Sequence, residues 1–169
     1  MKSVLTATTF TVFVCFVFFA VFVFPVRSAS AATCESIAAL SLPNAKVTAA
    51  EQVASGAFTP PGQTGPAPPM YAKLPSFCRV TATLTPSTDS DIKIEVWLPA
   101  STWNGKFQAV GNGGWNGSIP YAALANAILT GYATAGTDTG HAGNSASFAF
   151  GHPEKLIDFA FTVISCTAR

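Results

Sequence analysis

A short apolar run that breaks into glycines between two tryptophans constrains the fold of this chain more than any other segment. The run is Trp103-Asn104-Gly105-Lys106-Phe107-Gln108-Ala109-Val110-Gly111-Asn112-Gly113-Gly114-Trp115. Such a pattern is typical of a buried strand that ends in a turn, where glycines allow a sharp bend and let a ligand approach backbone N–H groups. The segment therefore predicts hydrogen-bond donors at a site and supplies no nucleophile.

The segment before this run predicts an antiparallel hairpin. Phe77 to Leu84 and Asp91 to Pro99 have strand character, and residues 85–90 between them form a turn. Along the second strand, two alternating sets face opposite ways: Ile92, Ile94, Val96 and Leu98 against Lys93, Glu95 and Trp97. This alternation predicts a half-buried hairpin.

The run itself and the segment after it predict a parallel crossover. Phe107 to Val110 and Tyr132 to Thr137 have too little polar alternation for an exposed face, which predicts two buried strands. Between them, Ser118 to Thr130 predicts a helix with Ser118 as its cap and Gly131 as its end. A strand, a helix and a strand in this order imply a right-handed parallel connection.

Weaker patterns complete the expected secondary structure. Short helical stretches are predicted at Glu35 to Leu40 and Ala49 to Ala54, and the proline-rich segment Gly56 to Pro69 predicts a surface loop. A second helix is predicted from Pro153 to Ile164, with Asp158 facing solvent. Its expected buried stripe is Ile157, Ala160, Phe161 and Ile164.

The first 31 residues predict a secretory signal peptide. Lys2 precedes a long apolar run, and Ala29-Ser30-Ala31 has the small-x-small pattern of a cleavage site. The alternative is an uncleaved membrane anchor formed by Val4 to Phe24. Cleavage would leave residues 32–169 as one domain, secreted and without a membrane contact. Removing Lys2 and Arg27 leaves 7 basic and 8 acidic side chains, so no basic face for nucleic acid is expected.

Cysteine usage predicts one disulfide. Cys15 lies in the signal segment, and Cys34 with Cys78 is the preferred pair because the two flank the proline-rich stretch. Cys166 is then left over. The two histidines are 11 residues apart without nearby cysteines, so no metal site is expected.

A series of motifs in order along the chain carries a family resemblance. They are Cys34-Glu35-Ser36, Leu74-Pro75-Ser76-Phe77-Cys78-Arg79-Val80, Ser90-Asp91-Ile92, Glu95-Val96-Trp97-Leu98-Pro99, Trp103-Asn104-Gly105-Lys106-Phe107, Gly111-Asn112-Gly113-Gly114, Gly131-Tyr132-Ala133-Thr134, Thr137-Asp138-Thr139-Gly140-His141 and Gly151-His152-Pro153-Glu154-Lys155. Together they resemble the tannase and feruloyl esterase family. The resemblance implies the N-terminal part of an α/β-hydrolase sheet, and hydrolysis of phenolic esters such as gallates or hydroxycinnamates.

The resemblance also implies which parts of an esterase this sequence lacks. Family members place the nucleophilic serine in a Gly-Cys-Ser-x-Gly-Gly turn after the next strand, with the acid, the base and a calcium-holding lid later. No such turn and no Gly-x-Ser-x-Gly elbow occur in the 169 residues. We therefore expect no catalytic residue and no cofactor in this chain, and a truncated, inactive form. The competing hypothesis is a small secreted protein that binds aromatic ligands or a partner without chemistry.

Five residues are candidates for the site. Gly113 and Gly114 correspond to the oxyanion-hole side of the family site, and the alternative is a turn that needs glycine only for its backbone angles. Trp115 is a candidate for the wall of the aromatic pocket, unless it serves only in packing. Asp138 and His141 are close enough in sequence to hydrogen-bond, but a loop rich in glycine and serine is too flexible to hold a triad. The resemblance implies that their loop shapes the cleft and does not hold the triad, and for His141 we expect a structural role.

Overall fold

The computed structural model describes residues 32–162 as one six-stranded mixed sheet with few helices. The strands are β1 (Ser41–Leu42), β2 (Ala45–Val53), β3 (Phe77–Leu84), β4 (Ile92–Pro99), β5 (Phe107–Ala109) and β6 (Ala133–Thr137). The α-helices are α1 (Tyr121–Leu129) and α2 (Pro153–Ile157), and a π-helical turn, Asp158–Thr162, follows α2. Short 3₁₀ turns occupy Glu35–Ala39, Tyr71–Lys73 and Ala146–Ala149.

The sheet is antiparallel on one side and parallel on the other. Its strand order is β1-β2-β3-β4-β6-β5. All neighbours from β1 through β4 to β6 are antiparallel, whereas β5 and β6 are parallel and α1 connects them. The predicted hairpin followed by a parallel crossover is confirmed.

The short helix predicted at Ala49 to Ala54 is wrong, because residues 49–53 belong to β2. Ala50 pairs with Val80 and Glu51 with Arg79 along β3. Hydrogen bonding to a neighbouring strand outweighs the weak helical preference of a short alanine-containing segment. The helical turn predicted near Glu35 is confirmed as a 3₁₀ turn.

The more polar face of β4 is the one that is buried most deeply. Glu95 is 4% exposed and Trp97 is fully buried, whereas Val96 between them is only half-buried. The predicted alternation along the hairpin is confirmed. The positions of the charged residues, however, do not indicate which of the two faces of β4 is the more buried. Burial of Glu95 is tolerated because donors surround its carboxylate, as described below.

An aromatic core covers this face of the sheet. Trp97 stacks on Phe77 with ring centroids 4.5 Å apart, and the ring of Phe58 lies edge-on to Trp97 at 4.6 Å. Helix α1 contributes Leu124 and Ile128, both fully buried. The proline-rich loop runs over the surface as predicted, except that Phe58 inserts into the core.

The third predicted strand is shorter and more exposed than its apolar sequence indicates. β5 ends at Ala109, and Phe107 is 49% exposed. In the described part of the chain β5 is an edge strand of the sheet, with β6 as its neighbour on one side only. The prediction that this strand is buried is therefore wrong, whereas β6, with neighbours on both sides, is buried throughout.

Two helix predictions also need correction. α1 begins at Tyr121 after Pro120, and the Ser118 hydroxyl donates to Asn116 instead of capping the helix. α2 ends at Ile157, which is exposed, and Asp158, predicted to face solvent, is 3% exposed. The π-helical turn after α2 changes the residue period, so a stripe spaced for an α-helix does not stay on one face.

The predicted disulfide is present. Cys34 and Cys78 are bonded with Cα atoms 5.5 Å apart, which ties the first 3₁₀ turn to β3. The predicted signal peptide, Cys166 and the end of the second predicted helix lie outside the described residues. No helix within residues 32–162 is long and apolar enough to span a bilayer.

Candidate functional site

The carboxyl ends of the two parallel strands place two glycine-containing loops side by side. One loop, residues 110–118, follows β5, and the other, residues 138–152, follows β6. In sheets with parallel strands, ligand sites form at these ends. All five candidate residues lie on the two loops.

Three hydrogen bonds hold the loop after β5, the first to the end of β6 and the other two to the loop after β6. They run from Asn112 Nδ2 to the Thr137 carbonyl (2.9 Å), from His141 Nε2 to the Trp115 carbonyl (2.9 Å) and from Gly117 N to the Gly143 carbonyl (2.6 Å). The Gly113-Gly114 turn lies between the first and second of these contacts. It is therefore held on one side by the end of β6 and on the other by the loop after β6.

Gly113 and Gly114 form an exposed turn with unused donors. Gly114 has φ 58°, and a Cβ atom at either glycine would meet nothing within 4 Å. Asn116 N donates to the Gly113 carbonyl at 3.3 Å, and neither glycine N–H donates to a described residue. The left-handed angle explains why glycine suits position 114, and the open surroundings leave room for a ligand oxygen.

Trp115 belongs to a cluster of aromatic rings on and beside the two loops. Its ring is 4.8 Å from Phe159 and 6.1 Å from Phe148, and 41% of the residue is exposed. The imidazole of His141 stacks on Phe148 at 3.8 Å with an interplanar angle of 13°. Trp115 therefore packs on one side and presents an aromatic surface to solvent on the other.

His141 is buried and held by two partners. A carbonyl oxygen only accepts, so Nε2 of His141 must carry the proton that it donates to Trp115. Nδ1 lies 3.2 Å from the Thr139 hydroxyl, which in turn donates to the Asp138 carbonyl at 2.6 Å. The ring therefore supports the turn after β5.

Asp138 shares this loop with His141 but does not pair with it in the described structure. Its Oδ1 accepts from the backbone N–H of Lys93 and of Gly140, each at 2.9 Å. Burial raises the pKa of the Asp138 carboxyl, and these two hydrogen bonds act against the rise. The carboxylate therefore ties the loop after β6 to β4.

A pocket of about 370 Å³ is lined by residues of the two loops, of strands β2 to β4 and of the start of α1. Asp138 and His141 line it, whereas Gly113, Gly114 and Trp115 lie outside its wall. Its other lining residues are Thr48, Thr81, Ala82, Thr83, Lys93, Ile94, Glu95, Gly117, Ser118, Ile119, Tyr121 and Ala142. The five candidates are thus divided between the pocket and the adjacent turn.

Glu95 and Tyr121 are pocket residues that the sequence analysis did not single out. The Glu95 carboxylate accepts from the Arg79 guanidinium (2.5 and 2.8 Å), from Trp97 Nε1 (2.8 Å) and from the Tyr121 hydroxyl (2.9 Å). Burial, followed by the nearby Glu95 charge, raises the pKa of Tyr121. An acidic residue inside an apolar strand is a signal for such a network, but two of its three partners, Arg79 and Tyr121, come from other elements.

Gly117 is a second residue that only the structure identifies. A Cβ atom there would lie 2.4 Å from the His141 carbonyl oxygen. Because Gly117 has no side chain, the two loops can approach this closely. In the sequence, only the presence of a glycine at this position indicates such a close approach.

No group of three or more His, Cys, Asp or Glu side chains within residues 32–162 is arranged to hold a metal ion. The described residues therefore do not fit the calcium that the family resemblance places in a lid, and no step of the chemistry is assigned to it.

The fold and the two loops are those of a known class of protein. A mixed sheet with a parallel crossover, and glycine turns at the carboxyl ends of its strands, is a partial α/β-hydrolase-like fold. The sequence profile described as "Tannase and feruloyl esterase" matches residues 78–169. The chain belongs to the tannase and feruloyl esterase family.

Individual relatives agree with this assignment. An uncharacterized esterase of Xanthomonas campestris pv. campestris is 43% identical over 142 residues, which is 83% of this chain and 24% of the relative. A probable feruloyl esterase B-1 of Aspergillus fumigatus is 40% identical over 88 residues, 52% of this chain and 16% of the relative. The chain spans about a quarter or less of the length of these curated relatives.

A solved structure shows the same fold. The crystal structure of feruloyl esterase B from Aspergillus oryzae superposes with a TM-score of 0.69 and 33% identity, covering 79% of this chain and 26% of that one. The similarity extends over most of the described residues of this chain and over a limited part of the larger protein.

Proposed function

We propose that this chain forms the oxyanion-hole side of a carboxylic ester hydrolase that acts on phenolic esters, of the gallate or hydroxycinnamate type. The observation that carries the proposal is the Gly113-Gly114 turn. Its two N–H groups have no described acceptor. The end of β6 anchors the turn through Asn112, and the loop after β6 anchors it through Trp115. Fixed backbone donors of this kind stabilise the negative charge that develops on an ester oxygen.

The aromatic cluster supports a phenolic substrate. Trp115 is partly exposed beside the glycine turn, and Phe148 and Phe159 back its ring. A phenolic ring can stack on such a surface while its ester group reaches the adjacent donors. The names of the fungal relatives point to feruloyl esters, which are phenolic esters of this type.

We further propose that the 169-residue chain does not hydrolyse esters by itself. A serine esterase needs a nucleophile next to the donors of its oxyanion hole, and the sequence contains no Gly-Cys-Ser-x-Gly-Gly turn. Hydrolysis then requires a nucleophile from residues beyond this sequence, so this chain contributes donors and part of the pocket.

We also propose that the protein is secreted. Two observations support this: the signal-like pattern of residues 1–31 and the disulfide between Cys34 and Cys78, a bond that persists mainly in oxidising compartments. Mass spectrometry of the exported protein should find an N-terminus at Ala32. An N-terminus at Met1 would contradict the predicted cleavage.

The decisive experiment is a hybrid enzyme. Residues 32–162 replace the segment of Aspergillus oryzae feruloyl esterase B on which they superpose, and hydrolysis of methyl ferulate is measured after circular dichroism shows a folded product. Hydrolysis is expected from the hybrid and none from the 169-residue chain. A folded hybrid that binds methyl ferulate without cleaving it would contradict the esterase proposal and favour a non-catalytic binding protein.

A glycine pair provides a matched control in the hybrid. Gly114→Ala and Gly62→Ala both place a side chain at a positive φ with open space around it, so their backbone strain is similar. Only Gly114 lies at the proposed donors. We expect Gly114→Ala to lower kcat and Gly62→Ala, in the proline-rich loop, to leave kcat unchanged.

A further inference from the structure

Asn112 continues the hydrogen bonding between the parallel strands after the backbone has left the sheet. The last backbone rung is the bond from Val110 N to the Ala135 carbonyl at 2.8 Å. Two residues later, a continued β5 would donate from the backbone of Asn112 to Thr137. Instead, the side-chain Nδ2 of Asn112 makes that bond, at 2.9 Å.

This substitution of side chain for backbone frees the following residues to turn. The ladder partner on β6 stays satisfied while Gly113 and Gly114 bend away from the sheet. Asn112 is thus the last anchored residue before the two glycines. The next anchor is the Trp115 carbonyl, which accepts from His141.

The amide oxygen of Asn112, Oδ1, indicates that this side chain does more than fill space in the interior. Thr137 presents a carbonyl, which only accepts, so Nδ2 must face it and Oδ1 points away. That Oδ1 is buried and has no hydrogen-bond partner among residues 32–162. A buried acceptor without a partner is unfavourable, so an apolar side chain would pack better here if packing were its only role.

We infer that Asn112 is a positioning residue that sets the location of the Gly113 and Gly114 donors relative to the end of β6. The inference rests on the proposed function, because the donors matter only if an ester oxygen binds there. An oxyanion hole works through donors held at a fixed distance, and a displacement of about 1 Å costs about 100-fold in rate. Asn112 acts through these donors and does not touch substrate.

The test uses two asparagines with the same type of contact. Asn104 Nδ2 donates to the Thr130 carbonyl at 2.9 Å, at the opposite end of β5, and its Oδ1 also accepts from Lys106 N. Asn104→Ala therefore removes at least as much hydrogen bonding as Asn112→Ala, and it serves with Asn104→Asp as the control. In the 169-residue chain, amide exchange of Asn116 reports the turn, because its N–H donates to the Gly113 carbonyl. Exchange at Asn116 should be faster in Asn112→Ala than in the wild type, and unchanged in Asn104→Ala.

In the hybrid esterase, Asn112→Ala and Asn112→Asp should lower kcat by about 10- to 100-fold with little change in KM. Asn104→Asp should leave kcat near the wild-type value. The carboxyl group introduced by Asn112→Asp can donate to the Thr137 carbonyl only when it is protonated. The ratio of the kcat of this variant to that of the wild type should therefore rise as the pH is lowered toward about 4. Asn112→Ala should show no such recovery.

The two proposals fail in different ways. A wild-type hybrid without activity removes support for the proposed function and leaves the exchange measurement to decide the role of Asn112. An active hybrid in which Asn112→Ala and Asn104→Ala have the same kcat overturns the inference, as does an Asn116 exchange rate that Asn112→Ala does not change.

Discussion

Nε2 of His141 lies 2.9 Å from the carbonyl oxygen of Trp115 and donates a hydrogen bond to it. This bond joins the loop after β6 to the loop after β5 and ends the Gly113-Gly114 turn. The imidazole is buried and stacked on Phe148, so its position is well defined. In this structure the histidine supports the glycine turn, and no hydrogen bond joins its ring to the neighbouring Asp138 carboxylate.

Replacing His141 by phenylalanine tests this support. His141→Phe keeps a ring against Phe148 but removes the donor to Trp115, which should lower the free energy of unfolding by about 0.5–1.5 kcal/mol. Urea denaturation of the purified chain measures the change. His152→Phe is the control, because His152 is exposed and contacts only Asp89 among the described side chains. An equal loss in both variants would contradict the supporting role.

Gly117→Ala should disrupt the contact between the two loops. The added Cβ would lie 2.4 Å from the His141 carbonyl oxygen, so one loop must move, and we expect a loss of about 1–3 kcal/mol. Gly111→Ala meets nothing within 4 Å and should change stability by less than about 0.5 kcal/mol. Thermal unfolding compares the two, and a Gly117→Ala protein as stable as wild type would show that the loops separate freely.

Tyr121→Phe should weaken the network around the buried Glu95 carboxylate. It removes one donor to a charged acceptor and leaves the donors from Arg79 and Trp97, so the expected loss is about 1.5–3 kcal/mol. Tyr132→Phe is the matched control, since no hydrogen bond of the Tyr132 hydroxyl to residues 32–162 is found. Denaturation in urea should separate the variants, and equal stability would argue that water replaces the Tyr121 hydroxyl.

Asp138 should make the chain less stable as the pH rises. Its folded-state pKa is raised by burial, so its favourable contribution is complete below the ordinary aspartate pKa of about 3.9 and is lost as the pH rises through the folded-state pKa. Asp138→Asn keeps an oxygen acceptor for the Lys93 and Gly140 N–H groups and removes the titration. The stability of Asp138→Asn relative to wild type should therefore increase with pH.

The measurement for Asp138 is urea denaturation at several pH values from 3 to 7. Glu154→Gln, which removes a carboxylate from an exposed position, is the control for the change in net charge. A difference between wild type and Asp138→Asn that is constant across this range would contradict the raised pKa.

The Cys34–Cys78 disulfide should stabilise the chain by about 4 kcal/mol, because it closes a loop with a sequence separation of 44. Cys34→Ser should lower the free energy of unfolding by this amount. Reducing agent should lower the wild-type value to the same level and leave Cys34→Ser unchanged. The expected value of about 4 kcal/mol would be contradicted if the disulfide is shown to be reduced and the free energy of unfolding of the wild type does not change.

Periodicity predicted the elements whose pattern is local. β3 has the predicted bounds, β4 differs by one residue, and β6 and α1 occupy most of their predicted segments, because apolar spacing, proline and glycine act within a few residues. The disulfide pair was also predictable from the few cysteines available. The elements that failed depend on neighbours: Ala49 to Val53 became strand because β3 lies beside them, and β5 is exposed because it has one neighbour in the described sheet.

The site shows the same division between local and long-range information. The sequence by itself determined that glycines follow a strand beside Trp115, and that Asp138 and His141 follow another, since the motifs are continuous. Only the tertiary structure decided that Asn112, Gly117 and Glu95 matter, because their partners, apart from Trp97 beside Glu95, are 16 to 26 residues away. Hydrogen bonds between segments depend on how strands are ordered in the sheet, and that order follows from packing of the whole chain.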